Sequence, residues 1–181
     1  MQETLTKQTL LAAQLIRDIP DFPQPGIMFK DITPVLANPK AMRQVIDLFI
    51  EFATPKRPDI IVGIESRGFV FGMPLALEMN LPFVPVRKFG KLPYQTIHEE
   101  YALEYGKNSM ELHVDAVAPG NRIIIVDDLL ATGGTAAAAK RLVNRLGGIV
   151  EGFAFLIELS FLHGRIALAN DDVLALITAS E

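Results

Sequence analysis

The 181-residue sequence contains no cysteine. That excludes disulfide staples, thiolate nucleophiles and any metal site built on sulfur. Positive charge is not in excess either: 17 Lys and Arg stand against 21 Asp and Glu, a net charge of −4. Such a balance offers no electrostatic basis for nucleic-acid binding. No apolar run reaches transmembrane length, so no membrane association is expected. The opening Met1-Gln-Glu-Thr-Leu-Thr-Lys7 lacks the apolar core of a signal peptide. Repeats, low-complexity tracts and an interdomain linker are also missing. What is present is an apolar fraction of 50%, which suits one cytoplasmic domain with a sizeable core.

The chain is organised around Ile123-Ile-Ile-Val-Asp-Asp-Leu-Leu-Ala-Thr-Gly-Gly-Thr135. Ile123 to Val126 read as a strand buried on both faces. Asp127 and Asp128 fall at its end. A short loop with Thr132, Gly133, Gly134 and Thr135 leads into an alanine-rich helix that stops at Gly147-Gly148. The N–H groups of such a loop, with the positive end of the helix behind them, suit a phosphate. The adjacent carboxylates accept hydrogen bonds and repel anions, so they suit a diol. Together the two features read as a cradle for a ribose 5-phosphate. The alternative is a plain strand–helix turn with acidic residues at the strand end. That alternative does not require Asp-Asp to come with Thr-Gly-Gly-Thr. The absence of Gly-Lys-Ser/Thr excludes a Walker loop.

The same arrangement recurs along the chain. Leu11, Leu15 and Ile19 predict an amphipathic helix over residues 3–19, ended by Pro20. Residues 20–34 are too rich in proline to be regular, yet Phe22, Ile27, Met28 and Phe29 make them a fitting apolar lid over a flat ligand. Asn38-Pro39 starts the next helix as N-cap and first residue. Ile60 to Ile64 is a second buried strand, running into Glu65-Ser-Arg-Gly68 and a helix with Pro74 early in it. Arg67, on the ligand-binding edge of a parallel sheet, reads as an anion contact, although it could simply pair with a carboxylate. Phe83 to Val86 ends in Arg87-Lys-Phe-Gly-Lys91, a second anion site or a solvated basic turn. Residues 92–106 read as polar and irregular, an excursion of the kind that is functional or mobile. Met110 to Val117 alternates as a strand, Ile149 to Leu159 is a further strand, residues 161–169 suggest a short helix, and Val173 to Ile177 an edge strand. These alternations predict an α/β fold, a parallel sheet flanked by helices on both faces.

The stretch from Ile123 to Thr135 resembles the phosphoribosyl-diphosphate (PRPP) motif of the type I phosphoribosyltransferases. Phe22-Pro-Gln-Pro-Gly-Ile-Met-Phe-Lys-Asp-Ile-Thr-Pro34, Glu65-Ser-Arg-Gly-Phe69 with Phe71-Gly72, and Arg87-Lys-Phe-Gly-Lys-Leu-Pro93 through Leu103-Glu-Tyr-Gly106 resemble the adenine-using branch of that family. The resemblance spans roughly residues 16 to 160. It implies one domain over residues 1–181, with an N-terminal hood over about 1–34 and a mobile catalytic loop. It also implies transfer of ribose 5-phosphate from PRPP to N9 of adenine, forming AMP and pyrophosphate, with Mg2+ bound mainly through PRPP and no metal site of the protein's own.

Carried over by position, Ala131, Thr132, Gly133, Gly134 and Thr135 would hold the 5′-phosphate, and Asp127 and Asp128 the ribose hydroxyls. Glu65, Ser66, Arg67 and Gly68 match the pyrophosphate loop, with Arg87, Lys88 and Lys91 as further pyrophosphate contacts. Leu92 to Gly106 matches the closing loop, and its Glu104 matches the general acid/base. Without the resemblance, Glu104 reads as an ordinary solvated charge. Met28, Phe29 and Lys30 match the adenine pocket, with Phe29 stacking, and Leu159 forms another apolar wall. The family is homodimeric, so some basic residues would serve the neighbour's site. An oxopurine or orotate enzyme is one alternative, disfavoured because Phe153 to Leu159 carries no Lys. A non-catalytic PRPP-binding regulator is another, disfavoured because the chain has no length left for a DNA-binding module.

Overall fold

The computed structural model describes residues 10–102 and 107–180. They form two compact units that divide between Leu48 and Phe49.

In the first unit, helix α1 (Leu11–Leu15) is followed by strand β1 (Arg17–Ile19), which pairs antiparallel with β2 (Phe29–Asp31). The helix predicted over 3–19 therefore closes at Leu15, and its part before Leu10 lies outside the described residues. Strand pairing wins over helical periodicity because two cross-strand ion pairs reward it: Arg17 to Asp31 at 2.6 Å and Lys30 to Asp18 at 2.8 Å. Regular structure thus returns inside the proline-rich stretch, first as β2 and then as the turn α2 (Thr33–Leu36). Pro34 sits in the first turn of α2, where its missing N–H is no loss. Asn38 caps α3 (Pro39–Ala53) as expected; its Oδ1 accepts the N–H groups of Lys40 and Ala41, each at 3.1 Å.

The second unit is a seven-stranded sheet in the order β5-β6-β4-β3-β7-β8-β9. Strands β3 (Ile60–Ile64), β4 (Phe83–Lys88), β7 (Arg122–Leu130), β8 (Ile149–Leu159) and β9 (Val173–Ala179) run parallel. Strands β5 (Thr96–Ala102) and β6 (Lys107–His113) form an antiparallel hairpin joined to the edge of β4. The central strands are long Ile/Val runs because both faces are covered. Val62, Ile125, Phe153 and Phe155 belong to one core with Ala138, Leu142 and Val143 of helix α5 (Gly134–Arg145). The alternate residues face helix α4 (Arg67–Glu78) and the last turn of α3, where the rings of Phe49 and Phe71 meet edge to face at 6.3 Å between centroids. The parallel sheet with helices on both faces is the expected fold class.

Three local readings change. Pro74 lies in the second half of α4, because the helix starts at Arg67, with only two residues between it and β3. Thr96 to Ala102, read as irregular, is a strand paired residue for residue with Lys107 to His113. Its polar side chains misled because their partners are remote in sequence: Arg141 and Arg145 of α5 donate to Glu99, and Thr96 donates to Glu111. The segment after β8 forms two 3₁₀ turns, Ser160–Leu162 and Gly164–Leu168, in place of one short helix.

Candidate active site

The carboxyl ends of β3, β4 and β7 deliver their polar residues to one edge of the sheet. Strand β7 stays hydrogen-bonded to β8 through Leu130, so Asp127 and Asp128 are held in the ladder rather than in a loop. Asp127 and Asp128 are 9% and 3% exposed. The Asp128 amide donates to Asp127 Oδ1 at 2.8 Å. Arg67 Nε reaches Asp128 Oδ2 at 3.1 Å. This reach depends on Gly68. A Cβ there would strike the Val126 carbonyl oxygen and press on Asp127, so only glycine lets the start of α4 lie against the end of β7.

Burial, and after it the neighbouring Asp128, push the Asp127 carboxyl well above the usual carboxylate range, against the pull of Arg67. Burial raises the Asp128 carboxyl too, also against Arg67. One cation does not repay the desolvation of two adjacent carboxylates. Hydroxyl donors arriving in the pocket would lower both.

Beyond Leu130 the chain turns through Ala131 and Thr132 to Gly133, which takes φ +81°, and α5 begins at Gly134. No side chain caps this helix and no acidic residue stands in its first turn. Its first N–H groups are therefore left for a ligand. A cavity of about 310 Å³ opens here, lined by Asp127 to Thr135 together with Glu65, Arg67 and Lys88. One pocket thus holds an uncapped helix start, three acidic side chains and two basic ones.

Glu65 plays a supporting part. Burial alone would raise its carboxyl, but the hydrogen bond from Arg87, with the Lys88 amide, holds it below the usual range. Arg87 Nε lies 3.1 Å and the Lys88 N–H 2.8 Å from Glu65 Oε2. The Glu65–Ser66 peptide is cis. Ser66, Gly68, Arg87 and Lys91 do not line the cavity, and neither does Leu159, which is buried in β8. Phe29 and Lys30 lie on β2 of the first unit, where Phe29 meets Phe22 edge to face at 5.0 Å. Glu104 lies outside the described residues.

Several lining residues escaped the sequence reading. Tyr101, Asn108 and Met110 come from the hairpin, and Phe155 from β8. The pairing of Tyr101 with Asn108 in the hairpin and of Met110 with Lys88 of β4 brings the first three to the cavity. Glu111 was missed as well. Its buried carboxylate accepts the N–H groups of Lys91 and Leu92, each at 2.7 Å, and the Thr96 hydroxyl at 3.3 Å. Burial works to raise this carboxyl, but the amides of Leu92, Lys91 and Gly90 outweigh it. Glu111 thereby staples the basic turn that follows β4. A lone acid in an alternating strand reads as solvent-facing, so only the turn folding over it reveals the role.

The Phosphoribosyl transferase domain model matches residues 31–159, which gives the class of protein that this fold and pocket define. An adenine phosphoribosyltransferase of Anaeromyxobacter dehalogenans is 56% identical over 90% of this chain and 95% of its own length. The crystal structure of adenine phosphoribosyltransferase from Thermoanaerobacter pseudethanolicus superposes with a TM-score of 0.91 at 51% identity, covering 93% of this chain and 98% of that one. That of Saccharomyces cerevisiae, solved with an imino-altritol bisphosphate and adenine, superposes with a TM-score of 0.86 at 43% identity over 92% and 96%. The chain belongs to the phosphoribosyl transferase domain family and, within it, to the adenine phosphoribosyltransferases.

The raised carboxyls carry a stability consequence. A group whose pKa is higher folded than unfolded stabilises the fold while protonated, and that contribution is lost as pH rises through the folded pKa. At neutral pH the Asp127–Asp128 pair is therefore a cost. Asp127→Asn keeps the acceptor for the Asp128 amide and removes one charge. We expect its Tm to exceed wild type at pH 7, with the gap closing as pH falls to about 4, the ordinary carboxylate pKa. Thermal melts from pH 4 to 8 check this; a gap that does not change with pH would refute the account.

Proposed function

We propose that this chain transfers the ribose 5-phosphate of PRPP to N9 of adenine, releasing pyrophosphate and forming AMP. The observation that supports this most is the single cavity in which an uncapped helix start lies beside two buried carboxylates. The 5′-phosphate would take the N–H groups of Ala131 to Thr135, and the ribose hydroxyls would donate to Asp127 and Asp128. The diphosphate would then face Arg67 and Lys88, with Ser66, Gly68 and Arg87 behind them.

In this reaction the bond from C1 to the diphosphate oxygen breaks and its electron pair leaves with pyrophosphate. N9 supplies the pair for the new bond, and its proton passes to a base. Positive charge grows at C1 in the transition state, where Asp127 and Asp128 stabilise it. The cations at Glu65–Gly68 and Arg87–Lys91 spread the charge of the leaving group. Among the described residues no group of three or more His, Cys, Asp or Glu converges as a metal site. Asp127 and Asp128 are nevertheless the hard oxygen donors that suit a Mg2+ ion brought in on PRPP. When bound, Mg2+ would neutralise part of the diphosphate charge. For the base, Phe29 is the proposed stacking ring, with Met28 and Lys30 beside it in sequence and Leu159 as an apolar wall. PRPP and AMP are cytoplasmic metabolites, and we place the reaction there.

With PRPP and Mg2+ present, we expect AMP formation from adenine at a kcat/KM far above that for hypoxanthine or guanine, and loss of activity with EDTA. Equal use of guanine would overturn the base assignment. It rests on the family resemblance and on a late strand, Phe153 to Leu159, that carries no Lys.

Glu104 is the proposed general acid/base for the purine proton. Glu104→Gln keeps size and polarity but cannot take the proton. Single-turnover rates should fall by about 10² to 10⁴ with little change in KM for PRPP. A single-turnover rate within a few-fold of wild type would exclude Glu104 from proton handling.

We further propose a homodimer. Lys91 lies on the basic turn yet does not line the cavity of its own chain, and a second copy would present it to the neighbour. Val70, Met73 and Leu77 form an apolar stripe on α4, with Leu77 72% exposed, which suits a self-complementary contact. Sedimentation at assay concentration should give a dimer, and Leu77→Glu should weaken it. A fully active monomer would refute the proposal.

A further inference from the structure

The segment after Leu159 has no part in the function proposed above, yet it packs against the back of the phosphate loop. Gly164 is buried. A Cβ on Gly164 would strike the Ala131 carbonyl oxygen and, at 3.0 Å, the Leu130 side chain. A Cβ on Gly133 would strike the Gly164 carbonyl oxygen and, at 2.8 Å, the Ala167 Cβ. The two glycines thus let the backbone of the loop and the backbone of the 164–168 turn meet directly.

That turn is tied on three sides. Arg165 donates to the buried Glu158 carboxylate at the end of β8 through Nε at 2.9 and 3.0 Å and Nη2 at 2.9 Å, and its Nη1 reaches the Val173 carbonyl at 3.0 Å. Lys140 of α5 meets both oxygens of Asp171 at 2.6 and 2.7 Å. Leu168 is buried in the core that includes Ala139 and Leu142 of α5. The turn therefore grips the strand beside the loop and the helix after it, and its backbone presses on the loop itself.

We propose that Gly164 is a positioning residue for the 5′-phosphate loop, and that the 164–168 turn is the rigid backing that keeps Ala131 to Gly134 in phosphate-ready form. The inference rests on the proposed phosphoribosyl transfer. Loop N–H groups converge on one anion only if the backbone is fixed before the ligand arrives. The contacts above supply that fixing from outside the loop. They act on the backbone of the phosphate subsite.

The test uses wild type, Gly164→Ala and Asp171→Asn. Steady-state kinetics would be measured with PRPP varied and with adenine varied at saturating PRPP, alongside calorimetric affinity for AMP and thermal melting. Gly164→Ala should raise KM for PRPP about tenfold or more and weaken AMP binding in parallel, with KM for adenine nearly unchanged. Asp171→Asn, which frees the turn without a steric clash, should do the same by a few-fold. A turn with a merely structural role would lower the melting temperature in both variants and leave KM for PRPP alone. A folded Gly164→Ala protein with wild-type KM for PRPP and wild-type AMP affinity overturns the proposal. If Gly164→Ala does not fold, a wild-type KM for PRPP in Asp171→Asn overturns it. Wild-type protein that forms no AMP from adenine and PRPP overturns the function reading itself, and this inference with it.

Discussion

Two carboxylates side by side at the buried end of a strand are the constraint around which the second unit is arranged. Asp127 and Asp128 give up water, stand next to each other, and share one guanidinium. Their carboxyls are pushed up as a result. A fold accepts such a cost where charge and acceptors must be ready before the ligand arrives. The neighbouring structure follows from that need. Gly68 brings α4 close enough for Arg67 to reach Asp128, and continued pairing of β7 with β8 keeps the two side chains from swinging into solvent.

The acidic and basic halves of the pocket are held by different means. The acidic half is part of a strand and inherits its rigidity. The basic half is spread over the start of α4, the end of β4 and the turn after it, and is held by carboxylates. Glu65 fixes Arg87 and the Lys88 backbone, and Glu111 fixes the backbone of Lys91 and Leu92. In both cases a carboxylate, half-buried at Glu65 and buried at Glu111, accepts backbone amides from the segment that carries the cations. Its charge is met by hydrogen bonds it could not make in the unfolded chain, which is why both carboxyls sit below their usual range.

The hairpin of β5 and β6 is tied to the sheet in a different way. Glu99 accepts Arg141 at 2.6 Å and Arg145 at 3.2 Å, both on α5, and Arg145 also reaches the His98 carbonyl. These pairs are solvent-facing and individually weak. They add to the packing of Tyr101, Met110 and Leu112 in the core with α5, which brings Tyr101 and Asn108 to the cavity.

The sequence by itself determined the alternation of buried strands and helices, because Ile/Val runs and the alanine-rich helix leave little choice of element. It also located the strand-to-helix loop and the acidic pair that line one cavity, because glycines, threonines and adjacent aspartates on such a turn have few other uses. It did not show that residues 17–19 pair with 29–31, that residues 96–102 are a strand, or that residues 164–168 back the loop at 131–134. Each of those is a contact between distant segments, decided by cross-strand partners, by Glu111 and by two glycines meeting backbone to backbone. Local pattern records what a residue prefers next to its neighbours in sequence. It does not record which remote surface comes to lie against it, and in this chain that remote surface is what holds the site's backbone in place.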